Sequence, residues 1–328
     1  MEPGDGSAAV AKRLQTYFSE DKRYVLYRSL PSGASGDCRG YIEDFGSGRT
    51  RKFVVKWPND DDETVIDGLR NEIAWLQVLR FAEHIVSPLP ISTGKELPKD
   101  VYIFLEYMEN GTLSEFLERI GSMAIPNRIL WSLFLCLIRA CVSMAWPPAA
   151  GQPEEVKPGP PSRLSHWDMH DENLMFGQFN TAYLEHRFIP ILKLIDFDNA
   201  TLIYFEEKPD ADVVAKFDND RESQHVTSLG ASANVLDVGI AMTRMLAQHR
   251  FLDVGGCREA IQHEYPTLDF DLQLLVVRCL AAEPKNRPSL EELLRVAFTA
   301  VATKAFTGET DEVIQQIIQA FILDGNQS

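Results

Sequence analysis

The stretch "HWDMHDENLMFG", His166 to Gly177, gathers His166, Asp168, His170, Asp171, Glu172 and Asn173 into one short segment. A little further on, "ILKLIDFDNA", Ile191 to Ala200, sets Asp196 and Asp198 behind an apolar run. Carboxylates and a side-chain amide are oxygen donors, the ligands a hard divalent cation such as Mg²⁺ prefers. An aspartate placed among them can also accept a proton from a hydroxyl. The plain alternative is that these Asp and Asn residues cap turns. Two further segments carry chemistry-bearing residues. "LPSGASGDC" holds Gly33 and Gly36, which let backbone N–H groups approach phosphate, whereas Pro31 has no N–H to offer. "VVK" ends on Lys56, with Glu72 downstream in "RNEIAWL".

These residues need elements to position them. "GYIEDF" and "RKFVVKW" are rich in β-branched and aromatic residues, and the "GSG" between them is hairpin chemistry. After "NDDDE", the residues Ile66, Leu69, Ile73, Leu76 and Leu79 recur at helical spacing. Another strand, "VYIFLEYM", ends at "ENG". Helices dominate from there: "TLSEFLERI", then "RILWSLFLCLIRACVSMAW", apolar almost all round and read as a core helix. "PPAAGQPEEVKPGPPS" reads as a mobile Pro/Gly-rich surface insertion. Ile203 to Ala233 is polar without periodicity, and three helical patterns follow in "NVLDVGIAMTRMLAQH", "DLQLLVVRCLA" and "SLEELLRVAFTAVATKAF". A strand-rich first part holding one helix, followed by a helix-rich remainder, predicts an α+β protein of two lobes with a cleft between them.

Composition sets bounds on partners. At 328 residues, 45% hydrophobic and 24% charged, the chain can bury a large core. A net charge of −16 argues against non-specific nucleic-acid binding and against an anionic membrane surface. The cysteines, Cys38, Cys136, Cys141, Cys257 and Cys279, include no C-x-x-C pair, so they predict reduced buried thiols and no zinc site. The N-terminal "MEPGDGSAAVAKRL" has no apolar signal core, and "ILWSLFLCLI" is too short to span a bilayer. The expectation is an intracellular protein, cytoplasmic or nuclear.

Taken in order, the segments resemble the eukaryotic protein kinase fold over roughly Tyr24 to Thr299, and look closest to kinase-like proteins of filamentous fungi. The resemblance implies a small strand-rich N-lobe at 24–108 and a larger helical C-lobe at 109–302. Residues 1–23 form an N-terminal extension, 147–164 a Pro-rich insertion, and 303–328 a C-terminal helical tail. It implies ATP and Mg²⁺ as cofactors. Lys56 would neutralise the α- and β-phosphates, held by Glu72. Gly33 and Gly36 would cover the phosphates. Leu105 would guard the back of the pocket, with Cys38 and Met175 among the residues lining the nucleotide. The backbone of Glu106 and Met108 would meet the adenine edge. Asp168 would orient the acceptor hydroxyl and take its proton, while Asn173 and Asp196 would hold Mg²⁺. "CLAAEPKNRPSLEELL" is similar to the end of the protein-kinase helical lobe, and Arg287 there would pair with a glutamate, for which Glu222 is the candidate by spacing.

The sequence also departs from the pattern. Pro31 replaces a glycine, Trp167 an arginine, Asp198 the glycine after Asp-Phe, and Asn234 an aspartate. His170 stands where protein kinases usually carry lysine, and H-x-D-x-H-x-x-N resembles the loop of aminoglycoside and choline phosphotransferases. The expected activity is transfer of the γ-phosphate of Mg·ATP to a protein hydroxyl, with Ser/Thr favoured. A pseudokinase that binds without turnover and a small-molecule kinase remain the alternatives.

Overall fold

A computed structural model describes residues 5–30, 33, 36–91, 97–203, 229–247, 254–263 and 265–326. Pro31 and Glu222, on which two of the expectations above rest, lie outside the described residues. The chain is mixed α+β, strand-rich towards its N-terminus and helical towards its C-terminus. It divides into two compact units. Met1–Arg80, Val86–Tyr107 and Asp196–Ala200 form the smaller, and Phe81–Ile85, Met108–Ile195 and Thr201–Ser328 the larger.

The smaller unit begins with α1 (Asp5–Ser19), followed by β1 (Tyr24–Ser29), β2 (Asp37–Gly46), β3 (Arg49–Trp57), α2 (Glu63–Leu79) and β4 (Ile103–Glu106). The strands form one antiparallel sheet in the order β1-β2-β3-β4. Ser47 and the two glycines beside it take positive φ at the β2–β3 turn, the conformation that a tight hairpin demands. Side chains alternate along β3, so Phe53, Val55 and Trp57 are buried on one face and Lys56 points to the other.

That buried face adds to the expectation from the sequence. The first part of the chain holds two helices rather than one, and α1, within the N-terminal extension, packs on the sheet. Leu14, Tyr17 and Phe18 of α1 join Tyr24, Tyr41, Phe53, Val55, Trp57 and Phe104 in a single apolar cluster. Phe18 stands 4.5 Å from Tyr41 and 5.1 Å from Tyr24, ring centre to ring centre. Val10, Ala11, Leu14, Tyr17 and Phe18 fall at i, i+1, i+4, i+7 and i+8, one helical stripe. The Gly, Ala and Lys residues around them dilute that stripe in the sequence.

The larger unit contains α3 (Leu113–Ile120), α4 (Asn127–Ala145), β5 (Leu164–Ser165), β6 (Leu174–Phe176), β7 (Leu192–Leu194) and β8 (Thr201–Leu202). Then come α5 (Leu229–Ala247), α6 (Val254–His263), α7 (Phe270–Cys279), α8 (Leu290–Thr303) and α9 (Asp311–Ile318). Thr112 and Glu115 form a reciprocal capping box that starts α3. Helix α4 is the one described helix long and apolar enough to cross a membrane, and 94% of that stretch is buried within the protein. Its apolar surface serves as core, packed on α5, α8 and β7. The Pro-rich segment after it does not run free over the surface. Glu154 from that segment is 2% exposed and accepts hydrogen bonds from His84 and Ser143, so a buried carboxylate ties it to the core. Short antiparallel ladders, β6 with β7 and β5 with β8, present the residues between them.

Candidate active site

Within the smaller unit, Lys56 Nζ donates to Glu72 Oε2 at 2.7 Å and to Asp196 Oδ1 at 2.8 Å. Glu72 comes from α2, whose buried residues Leu69, Glu72, Leu76 and Leu79 share one face, so the apolar stripe carries the carboxylate inward. Burial by itself would lower the Lys56 pKa, but the charges of Glu72 and Asp196 outweigh it and hold the ammonium well above its ordinary value. Burial pushes the Glu72 carboxyl up, against the pull of Lys56. Two carboxylates thus share one ammonium, which leaves a negative charge uncompensated within the trio.

The segment carrying Asp196 is clamped by α2. Asn71 Nδ2 stands 3.3, 2.9 and 2.7 Å from the backbone oxygens of Phe197, Asp198 and Ala200, and Trp75 Nε1 donates to Ala200 O at 3.1 Å. Neither Asn71 nor Trp75 belongs to a motif. The signal that could have found them is their i, i+4 spacing on a helix that also carries Glu72. Asp196 has φ 63°, a left-handed conformation that is strained for a non-glycine residue and is held by these bonds. Asp198 is not among the residues with positive φ. Its place after Asp-Phe therefore does not require a glycine here.

Gly36 lies against the same lysine. A Cβ added there would stand 2.9 Å from Trp57 O and 3.0 Å from Lys56 Cε, so only glycine lets β2 begin this close to β3. Gly33 is exposed and donates its N–H to Gly36 O at 2.9 Å. Cys38 faces Lys56 across the β2–β3 ladder, and burial pushes its thiol up to about 12, so it is an inert protonated group. Leu105 is buried on β4 opposite Val54. Glu106 donates its N–H to Ser87 O at 3.0 Å, and its Oε1 accepts from Ser87 N at 2.7 Å. The Glu106 N–H is therefore engaged within the protein.

Within the larger unit, the loop between β5 and β6 is built around buried His166. Its backbone N–H donates to Asn234 Oδ1 at 3.0 Å, while Asn234 Nδ2 donates to Leu164 O at 2.9 Å. One amide accepts and donates at once, which a carboxylate could not do. The ring donates through Nε2 to Ile195 O at 3.0 Å and accepts at Nδ1 from Asp168 N at 3.3 Å. Trp167 has φ 67° and packs against Ile203, Leu229 and Ala233. An apolar ring suits that cluster better than a charged arginine would.

Asp168, His170 and Asn173 meet directly. Asn173 Nδ2 donates to Asp168 O at 3.0 Å and Oδ2 at 3.1 Å, and His170 Nε2 stands 3.5 Å from Asp168 Oδ1. His170 Nδ1 accepts from Glu172 N, capping the short 3-10 turn Asp171–Asn173, so a neutral ring carries its proton on Nε2 towards Asp168. The His170 contact holds the Asp168 carboxyl below its usual range, and Asp168 in turn raises His170. Since the Asn173 nitrogen faces Asp168, its Oδ1 is the atom suited to a cation. Met175 pairs with Lys193 on the β6–β7 ladder. Met108 belongs to this unit as well, near Gly177.

The sequence-predicted residues thus fall into two sets, one in each unit. Gly33, Gly36, Cys38, Lys56, Glu72, Leu105, Glu106 and Asp196 belong to the smaller unit, and Met108, Asp168, His170, Asn173 and Met175 to the larger. Arg287 donates to the backbone oxygens of Ala281, Ala282 and Ser232, which orders the start of α8. Neither a scan against protein-family models nor a search of curated proteins finds a match for this chain.

Proposed function

We propose that the chain is a two-lobed, protein-kinase-like phosphotransferase that moves the γ-phosphate of ATP to a protein hydroxyl. The observation that carries this reading is Lys56 bound to both Glu72 and Asp196, with Gly36 packed on the lysine stem. The donor chemistry fits the cofactors. An ammonium and a glycine-lined backbone suit phosphate, and the Asp196 carboxylate of the smaller unit and the Asn173 amide oxygen of the larger are each the donor type that a hard cation takes. Bound Mg²⁺ would neutralise charge on the phosphates. Lys56 orients the phosphates, Glu72 orients Lys56, and Asp168 accepts the hydroxyl proton. "EPKNRPSLEELL" favours a protein acceptor over a small molecule.

A second reading, nucleotide binding without useful transfer, draws on Asp168 itself. His170 and Asn173 both engage its carboxylate and lower its basicity. Asp168→Asn separates the two. In the transfer reading it retains ATP-dependent thermal stabilisation but lowers labelled-phosphate transfer by about 10²-fold or more. Equal background transfer by wild type and variant, with both binding ATP, replaces the enzyme with the binding protein. Failure of folded wild type to gain stability at millimolar Mg·ATP rejects both.

A further inference from the structure

The larger unit buries a second group of ligand-type side chains, none of which the proposed transfer uses. His84, Cys136 and His186 are 0%, 1% and 0% exposed. One ligand atom from each lies within 4.8 Å of the other two. The two ring nitrogens His84 Nε2 and His186 Nε2 are 2.9 Å apart. The other nitrogen of His84, Nδ1, makes a short contact with Glu154 Oε2. Glu154 Oε1 accepts from the His84 backbone N–H at 3.0 Å and from Ser143 Oγ at 2.8 Å. Glu154 therefore fixes both the backbone and the ring of His84 and turns Nε2 towards His186.

We propose that His84 Nε2, His186 Nε2 and Cys136 Sγ hold a structural Zn²⁺ ion. Two imidazoles and a thiolate are a donor set that zinc takes in preference to hard cations. Zn–N bonds of about 2.0–2.1 Å in tetrahedral geometry separate two ring nitrogens by roughly 3.3 Å, so the rings need open by only a few tenths of an ångström. The Glu154–His84 contact is the carboxylate–histidine support that orients metal-binding rings.

The charges balance once the ion is in place. Zinc binding at His84 Nε2 and Cys136 Sγ releases the Cys136 S–H proton and any proton on His84 Nε2, while the His84 Nδ1–H keeps its contact with Glu154. The +2 charge then meets one thiolate and one carboxylate, and the buried cluster is neutral.

The four residues come from separate parts of the chain. His84 lies in the Phe81–Ile85 segment, Cys136 in α4, Glu154 in the Pro-rich segment and His186 in the 3-10 turn Leu184–His186. An ion there would cross-link all of them, and burial assigns it a structural rather than a catalytic role. Lacking any C-x-x-C spacing, the sequence carried no sign of it.

The test uses the full chain produced with zinc supplied and purified without chelator. Metal analysis should find about one Zn²⁺ per chain, and its removal by a strong chelator should lower the melting temperature, with recovery on zinc addition. Cys136→Ser and His186→Gln should each retain less than about a tenth of that zinc, while Glu154→Gln should weaken binding roughly 10- to 100-fold. Should the ligand variants fail to fold, Co²⁺-loaded wild type decides the matter: a thiolate-to-cobalt charge-transfer band supports the site, and a spectrum without one overturns it. The proposal also falls if folded wild type refolded with excess zinc keeps none and its melting is indifferent to zinc and chelator. Zinc binding by Cys136→Ser and His186→Gln equal to wild type overturns it equally. None of these readouts depends on phosphate transfer.

Discussion

Asn234 Oδ1 accepts the backbone N–H of His166 at 3.0 Å, across 68 residues of sequence, and so ties helix α5 to the loop that presents Asp168. The same amide donates to Leu164 O. Asn234→Asp keeps the acceptor but turns a buried carboxylate oxygen towards that carbonyl. It should destabilise the protein by roughly 1–3 kcal/mol, the scale of a buried polar group left without its partner. Urea unfolding of the two proteins measures it, and an unchanged midpoint would show that the amide's donor is dispensable.

Asn71 is the main tether of the Asp196–Ala200 segment to α2. Asn71→Ala should leave α2 intact, since alanine is a good helix former, but free the carbonyls of residues 197, 198 and 200. Hydrogen exchange over 197–200 should quicken by on the order of 10-fold, a local loss near 1.4 kcal/mol, while the β1–β4 sheet keeps its protection.

Lys56→Met removes the buried cation and leaves Glu72 beside Asp196. The loss should be about 3 kcal/mol near neutral pH, the scale of breaking a buried ion pair from one side. The pH dependence follows from Glu72, whose folded pKa already lies above its ordinary value. An acid raised in the folded state adds stability below its unfolded pKa and loses that contribution as pH rises through its folded pKa. Without Lys56 the upward shift grows, so the variant should lose stability from mildly acid to neutral pH more steeply than wild type. Unfolding midpoints across that range check the slope, and Glu72→Gln in the same background should flatten it.

His170 should titrate above the ordinary histidine value of about 6.5 and return towards it in Asp168→Asn. The stabilisation that His170 gains is complete below its unfolded pKa and fades as pH rises through the raised value. The part that Asp168 gains is complete above its own unfolded pKa and fades as pH falls through the lowered value. The contact therefore contributes most in the interval between the two ordinary values. Proton NMR of the imidazole follows it directly.

Gly36→Ala should lower stability by roughly 1–3 kcal/mol, because the new methyl group presses on the Trp57 carbonyl at the β2–β3 ladder. Gly33→Ala meets, among the described residues, nothing closer than Gly36 O at 3.6 Å and should be tolerated. Paired melting curves distinguish crowding at Gly36 from a general need for glycine in the loop.

Much of this architecture is legible in the chain itself. The β-branched and aromatic residues of "RKFVVKW" and the glycine turn before it mark the β2–β3 hairpin. The helical stripe from Ile66 to Leu79 places Glu72 on α2. Helix α1 was hidden because small and charged residues dilute its stripe. Glu154 was hidden because prolines around it signal surface, while a single buried carboxylate carries no periodicity.

The sequence by itself determined most of the elements and the residue types available for phosphate, cation and proton chemistry. Those follow from forces that act over a few residues: backbone dihedral preference, side-chain periodicity and local hydrogen bonding. Only the tertiary structure decided which distant groups meet. Lys56 finds Asp196 across 140 positions, and His84 finds His186 across 102. Such meetings depend on how buried faces pack and on where excluded water forces polar groups to find each other, and no spacing along the chain encodes that.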